Sequence, residues 1–154
     1  MNSTLKTFFE VCIAATIIIV LLYVVTGKVF AEVIDLDIIA SIESTNNPNA
    51  YNAISKAKGT HQITPICLLE WNNFHPDQTY NGKDLFTHTI NKRIASWYLN
   101  NRIPQMLRYY GKPVTIRNIL ISYNAGISYV FKGKKLPSET KNYIKKYNRL
   151  CGAK

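Results

Sequence analysis

Apolar side chains recur with helical spacing along most of this chain, which limits it to a mainly helical fold. Ile34, Ile38 and Ile42 lie on one face of a predicted helix that ends near Glu43. Four later segments repeat this spacing and contain, in turn, Ile66 and Trp71, Ile90 and Trp97, Ile116 and Tyr123, and Tyr143 and Tyr147. The two-residue alternation of a strand is nowhere sustained. The sequence therefore predicts a mainly α domain.

Helix-breaking residues and two long polar stretches divide these segments. Pro104 is expected to limit or kink the third helix, and Gly126 to stop the fourth. Ser138 is the expected N-cap of the last helix. Residues 44–59 and 72–89 are polar and irregular. Loops of that length in a compact domain usually carry function.

The first 31 residues have the pattern of an export signal. The run from Val11 to Val25 is apolar apart from one threonine, Lys6 precedes it, and the small-residue site Val29-Phe30-Ala31 follows. An uncleaved membrane anchor is the alternative, although a bilayer span needs about 20 apolar residues, and a buried core helix is the third possibility. We expect residues 1–31 to be a signal peptide or N-terminal membrane anchor. We expect residues 32–154 to form one exported domain in the periplasm or cell envelope.

The chain is basic, with 19 Lys and Arg residues against 9 Asp and Glu residues. Without Lys6, Lys28 and Glu10, the predicted domain keeps 17 basic and 8 acidic residues, a formal charge of +9. Such an excess suits a polyanionic partner, for example an anionic envelope polymer, an anionic lipid or a nucleic acid. No basic motif interleaved with aromatic residues supports a nucleic-acid binder. The lysine-rich segment 132–149 is expected to be a solvated face.

Neither the cysteines nor the histidines have the spacing of a metal site. His61, His75 and His88 form no H-x-x-H pattern, and Cys67 and Cys151 match no zinc signature. We therefore expect no metal and no cofactor. In an oxidising compartment Cys67 and Cys151 could form a disulfide. A buried free thiol at Cys67 is the alternative, because that residue lies in an apolar run.

Among the carboxylates of the predicted domain, Glu43 has the position best suited to acid–base chemistry. It ends an apolar helix directly before the first polar stretch, where partial desolvation would favour the protonated form that a general acid needs. Asp35, Asp37 and Glu139 stand in the first turns of helices, where capping and the helix dipole explain them. An ordinary helix-end glutamate remains the alternative for Glu43, and no second acid is well placed.

Four segments along the chain match a series of sequence motifs. Residues 43–52, ESTNNPNAYN, are similar to E-S-x-x-N-P-x-A, and residues 59–65, GTHQITP, to G-L-M-Q-I-x-P. Residues 122–126, SYNAG, are similar to A-Y-N-A-G, and residues 137–143, PSETKNY, to P-x-E-T-x-x-Y. In this order, across about residues 33–147, the four segments resemble the soluble lytic transglycosylase family, which cleaves peptidoglycan.

The resemblance implies a goose-lysozyme-like helical domain with a long glycan-binding groove and Glu43 as its single catalytic acid/base. As an acid, Glu43 would protonate the glycosidic oxygen of the β-1,4 bond between N-acetylmuramic acid (MurNAc) and N-acetylglucosamine (GlcNAc). As a base, it would then take the proton of the MurNAc 6-hydroxyl, which attacks its own anomeric carbon. The product would be 1,6-anhydro-MurNAc. No water enters this reaction, so it needs no second carboxylate to activate water or trap an intermediate.

Motif positions also imply roles around the acid. Ser44 and Gln62 would line the groove, Tyr123 and Tyr143 would place phenols near the cleaved sugar, and Asn124 would bond glycan or the loop backbone. Ordinary core packing is the alternative for the two tyrosines. A helix stop is the alternative for the Asn124 segment, and a surface amide is the alternative for Gln62.

Departures from the family motifs fall on expected groove positions. Thr60-His61 replaces the usual Leu-Met pair, Asn52 stands where Ser is commoner, and Lys56 where Gly is usual. We expect His61 to be an incidental residue of the groove wall or the surface. The departures therefore concern glycan subsite preference more than the reaction.

Two other functions stay open at this point. A lysozyme-like muramidase on the same fold would need a residue that activates water. A non-catalytic peptidoglycan-binding module of an envelope-spanning assembly would keep the groove without the acid, whereas this chain retains Glu43. The expected partners are peptidoglycan glycan strands and a secretion, conjugation or phage wall-penetration apparatus, with no nucleic acid.

Overall fold

Seven α-helices make up most of residues 34–152, the part of the chain that the computed structural model describes. They are α1 (Leu36–Ser44), α2 (Pro65–Phe74), α3 (His88–Trp97), α4 (Ile103–Tyr109), α5 (Ile116–Ala125), α6 (Ser128–Phe131) and α7 (Ser138–Cys151). No strand occurs among these residues, where only isolated bridges join Lys58 to Tyr51 and Ile63. The prediction of a mainly α domain is confirmed.

The N-terminal segment predicted as a signal or anchor, residues 1–31, lies outside the described residues. Between residues 34 and 152, no helix has the length and apolar character needed to cross a membrane.

Side-chain caps fix the starts of three helices. The Asp35 carboxylate accepts hydrogen bonds from the backbone N–H groups of Asp37 and Ile38 at the start of α1, which confirms its capping role. Thr64 and Thr115 cap α2 and α5 in the same way. The prediction that Ser138 caps the last helix is wrong.

Ser138 is instead the first residue of α7, and Pro137 occupies the N-cap position. Pro137 has the fixed φ of its ring and an extended ψ of 151°, and its carbonyl accepts the N–H of Lys141 at 3.1 Å. Ser138 therefore already has helical dihedrals and makes no side-chain cap.

The third predicted helix is bent rather than ended by Pro104. A π-helical turn, Tyr98–Arg102, joins α3 to α4, and Pro104 is the second residue of α4. Proline has no N–H to donate to the preceding turn, and a wider turn accommodates that loss. Because α3 begins at His88 after a short 3-10 turn, Asp84–Phe86, the second polar stretch is shorter than predicted.

Two apolar clusters form the core. The larger joins α1, α4, α5 and α7 through buried residues such as Ile39, Leu107, Leu120 and Tyr147. The smaller joins the end of the first loop to α2 and α3, and consists of Ile63, Cys67, Trp71, Leu85, Ile94 and Ala95. Leu36 and Tyr98 pack against both clusters, so the two are continuous.

The proposed disulfide is not formed, because Cys67 and Cys151 are both free. Cys67 is buried in the smaller cluster, and Cys151 is exposed at the end of α7. The buried-thiol alternative for Cys67 is the one observed. Burial raises the pKa of this thiol far above its usual range, which keeps it protonated and unreactive.

A buried amide on α3 holds the first polar loop against the core. The Asn91 side-chain amide donates to the backbone carbonyls of Lys58 and Leu85, both at 2.9 Å, and its oxygen accepts the backbone N–H of His61 at 2.8 Å. Gly59 packs directly on this amide with φ of +75°. One side chain therefore bonds to backbone groups of two irregular segments, one at residues 58–61 and one at Leu85.

His61 was expected on the groove wall or surface, and that expectation is wrong. Its side chain is completely buried, with Nδ1 3.1 Å from Asn91 Oδ1 and Nε2 3.2 Å from the carbonyl oxygen of Leu36. Burial lowers the pKa of the ring, so the neutral form can donate to only one of these oxygens at a time. His61 thereby links the first loop to α1 and α3.

We predict that Gly59→Ala destabilises the domain by about 3 kcal/mol, the sum of a left-handed backbone and an overpacked contact. A Cβ atom at residue 59 would collide with the carbonyl of Leu85 and the amide of Asn91. Gly111→Ala is the matched control, because Gly111 has a φ of +61° but no atom within 4 Å of the added Cβ. Urea unfolding should give a loss of only about 1 kcal/mol for the control. Equal losses in the two variants would contradict this packing.

Candidate active site

A groove with a volume of about 530 Å³ runs beside the end of α1. Its walls come from the first loop, α2, the π-helical turn, α4, α5 and the start of α7. Four of the six predicted site residues line it: Glu43, Gln62, Tyr123 and Asn124. Ser44 and Tyr143 stand behind its surface.

Glu43 is the penultimate residue of α1, where the apolar face of that helix meets the groove. Two left-handed residues, Thr45 and Asn46, turn the chain away immediately afterwards, so the carboxyl stays against the protein. Burial raises the pKa of Glu43 from 4.5 to about 7, and the negative charge of Glu139 adds to the rise. Near neutral pH this carboxyl can therefore both donate and accept a proton.

Two tyrosines surround this carboxyl. Tyr143, on α7, interacts with Glu43 and lowers its pKa, which offsets part of the effect of burial. Its hydroxyl is buried, yet it is not placed for a standard hydrogen bond to any group among the described residues. Tyr123, on α5, donates its hydroxyl to the His61 carbonyl at 2.6 Å. Burial raises the pKa of both phenols, so both remain protonated.

Gln62 is held in the groove by a strained backbone. Its φ is +50°, and its side-chain amide donates to the carbonyl of Gly59 at 3.0 Å. A non-glycine residue in this conformation is uncommon and persists where the surrounding structure imposes it. Here the backbones of Lys58 and Ile63, on either side of the turn, bond to each other at 3.0 Å in both directions, and Asn91 holds Lys58 and His61.

Ser44 positions the loop and does not face the groove. Its hydroxyl donates to the Thr60 carbonyl at 2.8 Å and accepts the Asn47 N–H at 3.0 Å. Both partners belong to the first loop, so Ser44 fastens the end of α1 to it. The expectation that Ser44 lines the groove is therefore not met. Asn124 does line the groove, next to Gly126, which ends α5 with φ of +92°.

The transglycosylase SLT domain family model matches residues 35–146 of the chain. The chain belongs to this family. No curated protein and no solved structure matches it. Members of this family have the lysozyme-like fold and a transglycosylase-type activity on peptidoglycan. Because peptidoglycan lies outside the cytoplasm, the family implies that the protein acts there.

The groove of this SLT domain contains two further carboxylates, contrary to the expectation that no second acid is well placed. Glu139 is exposed on the first turn of α7 and contributes to the groove wall. Glu70, on α2, also lines the groove, but its two oxygens accept hydrogen bonds from Arg102 at 3.0 and 3.3 Å. Glu139 is therefore the carboxylate available to influence Glu43.

Some functional residues were missed because their sequence signals are weak. Glu139 and Tyr143 are four residues apart on α7, so they share a helix face, and that spacing could have placed Glu139 at the site. Asn91 has no such signal, since an asparagine inside an amphipathic helix is usually solvated. Among residues 34–152, no group of three or more His, Cys, Asp and Glu side chains could hold a metal ion.

We predict that Tyr143→Phe raises the pKa of Glu43 further, because the phenol that lowers it is gone. The upper limb of the pH–activity profile should move to higher pH. Unfolding free energy should change by less than about 1 kcal/mol, because the lost hydroxyl has no standard hydrogen bond to give up.

Tyr147→Phe is the matched control on the same helix. Its hydroxyl accepts the backbone N–H of Asp35 at 2.9 Å, so its loss should destabilise the domain by about 1 kcal/mol while the profile stays in place. Identical pH profiles for Tyr143→Phe and the wild type would show that Tyr143 does not tune Glu43.

We also predict that Glu43→Gln makes the folded domain more stable at alkaline pH. The folded-state pKa of Glu43 is raised, so wild-type stability falls as the pH rises from 4.5 through about 7, while the glutamine variant escapes this loss. The rise corresponds to roughly 3 kcal/mol at full burial, and about 2 kcal/mol is expected at pH 8 because the residue is only partly buried. The difference should vanish at pH 4. Urea unfolding across this range would refute the prediction if the gap between the two proteins did not change with pH.

Proposed function

We propose that this SLT domain is a peptidoglycan lytic transglycosylase that cleaves the β-1,4 bond between MurNAc and GlcNAc. The observation that carries the proposal is one carboxyl, Glu43, whose pKa burial raises to about 7 and which lines a groove of mixed polar and apolar residues. A single group with this pKa suits a reaction that needs an acid first and a base second.

The reaction follows from the two protonation states of Glu43. The protonated carboxyl donates its proton to the glycosidic oxygen as the bond to the MurNAc anomeric carbon breaks, and GlcNAc leaves with that proton. The resulting carboxylate then takes the proton of the MurNAc 6-hydroxyl, whose oxygen bonds to the anomeric carbon. Atoms balance without water, and Glu43 returns to its protonated state. Because the nucleophile belongs to the same sugar, the step has the advantage of a tethered reactant.

Neighbouring residues support each state of the acid. Tyr143 offers a hydroxyl to the carboxylate after the first proton transfer, which opposes the effect of burial at the moment when charge appears. Glu139 has the opposite influence and favours the protonated starting state. Gln62, from the first loop, and Asn124, from α5, would bind the glycan.

Glu139 is also the observation that favours a second candidate function, a lysozyme-like muramidase. In that case its carboxylate would activate a water molecule for attack on the anomeric carbon, as a second carboxylate does in glycoside hydrolases. The two reactions differ by one water in the product, so the products decide between them.

We propose that residues 1–31 direct export, with a mature chain that starts at Glu32. An uncleaved anchor would instead leave Met1 on a protein found in the membrane fraction, which N-terminal sequencing of the fractionated protein distinguishes.

Wall cleavage by such a domain would serve a secretion, conjugation or phage apparatus that needs a local opening in peptidoglycan.

We predict that Glu43→Gln lowers cleavage of purified peptidoglycan by at least about ten-thousand-fold, the upper end for general acid–base catalysis, because one residue serves both steps. Mass analysis of wild-type products should find 1,6-anhydro-MurNAc ends, one water lighter than hydrolytic ends. Glu139→Gln is the matched control and should keep measurable cleavage with the same anhydro products. Reducing MurNAc ends from the wild type, together with inactivity of Glu139→Gln, would instead identify a muramidase.

A further inference from the structure

A second concavity of about 330 Å³ adjoins the groove at the C-terminal end of α4. Met106 lines both the groove and this concavity, so the two lie next to each other. Arg102, Gln105, Tyr109 and Tyr110 complete its walls. None of these four residues has a part in the proton transfers proposed above.

Aromatic rings form one side of this concavity and are held in fixed orientations. The Tyr110 ring stacks on Phe131 with centroids 4.4 Å apart and an angle of 16°, and Tyr109 meets Tyr110 edge-on at 5.1 Å. Tyr109 is nevertheless 83% exposed and Tyr110 42% exposed. Phe131 ends α6, the helix that starts directly after the groove residues Gly126 and Ile127. The Tyr110 ring is therefore supported by α6, which follows the groove residues directly.

Polar groups on the other side are equally well ordered. The Arg102 guanidinium donates to both oxygens of Glu70 and to the Gln105 side-chain carbonyl at 3.1 Å, and it lies 4.7 Å from the Phe74 ring. The Gln105 amide nitrogen is one donor on this wall. Arg108 lies in the adjoining surface, and the Lys132 ammonium is 5.5 Å from the Phe131 ring.

This combination matches the chemistry of an anionic saccharide. A pyranose ring has a face of C–H groups that packs on the negative face of an aromatic ring, and a rim of hydroxyls that accept bonds from amide and guanidinium groups. The nearby cations Arg108 and Lys132 complement carboxylates such as those of the peptides attached to MurNAc, or of the lactyl groups of MurNAc that carries no peptide. A glycan strand that leaves the groove beside Met106 would meet these rings next.

We propose that Tyr109 and Tyr110, the latter supported by Phe131, form with Arg102 and Gln105 a distal saccharide-binding site for the strand being cleaved. The site gives the enzyme a preference for strands long enough to reach from Glu43 to the Tyr110 ring. The inference rests on the proposed function, because it takes the substrate to be peptidoglycan glycan. A protein partner on this surface is the competing occupant.

The test measures binding of GlcNAc–MurNAc oligomers of two to eight sugars to the full chain carrying Glu43→Gln, which binds without cleaving. Calorimetry should show affinity that rises with length until the oligomer reaches the distal site. In that background, Tyr109→Ala and Tyr110→Ala should each weaken binding of the longest oligomers about fivefold, the scale of one aromatic contact. The disaccharide should bind as before. Tyr109 is so exposed that its variant should fold even if Tyr110→Ala does not.

Phe74→Ala is the matched control, since this ring is 49% exposed and contacts Arg102 but lines neither the groove nor the distal site. It should leave the length dependence unchanged. An equal loss at every length, or no loss at any length, would overturn the distal site while the proposed function stands. Absence of binding at every length in the parent protein would overturn both proposals.

Discussion

The partial burial of the Glu43 carboxyl, which lines the groove and yet has a raised pKa, is the constraint on which the site depends. That carboxyl is desolvated because the first loop folds back over the end of α1, and the loop has almost no regular structure to hold it there. Asn91 and Ser44 provide the fastening, by binding the backbone of residues 58–61 from α3 and from the end of α1. The Tyr123 hydroxyl provides a third attachment of the loop by donating to the His61 carbonyl. These buried polar groups therefore hold the first loop over Glu43 as well as against the apolar core.

This arrangement places local strain and unfavourable electrostatics at the groove. Gln62 is left-handed, the Tyr143 hydroxyl lacks a standard partner among the described residues, and Glu43 is buried with another carboxylate nearby. Each feature opposes stability, and local conflicts of this kind concentrate where a protein does chemistry. The apolar surface buried in the two clusters around the groove offsets these destabilising features.

The sequence predicted the helices and the acid because both leave local signals. Helical spacing located the faces of α1, α3, α5 and α7, and motif order identified Glu43, Gln62, Tyr123 and Asn124 as neighbours of one groove. The roles of those residues stay predictions.

Features that depend on distant parts of the chain could not be read in the same way. The burial of His61 depends on an asparagine thirty residues away. Pro104 alone does not tell whether a helix ends or continues through a π-helical turn, and Ser138 lost its capping position to the backbone conformation of Pro137. Ser44 was expected to face glycan from its motif position, yet its hydroxyl binds the loop. The position of Glu139 beside the groove was available from its spacing to Tyr143 and was set aside for a simpler dipole role.

The pKa of Glu43 is the quantity that tests this account most directly. Carbon-13 NMR of glutamate-labelled protein, with Glu43→Gln used to assign the resonance, follows the carboxyl through a pH titration. The account predicts a midpoint near 7, well above the 4.5 of a solvated glutamate. A midpoint near 4.5 would mean that the carboxyl is solvated and ionised at neutral pH, and Glu43 could not then begin the reaction as an acid.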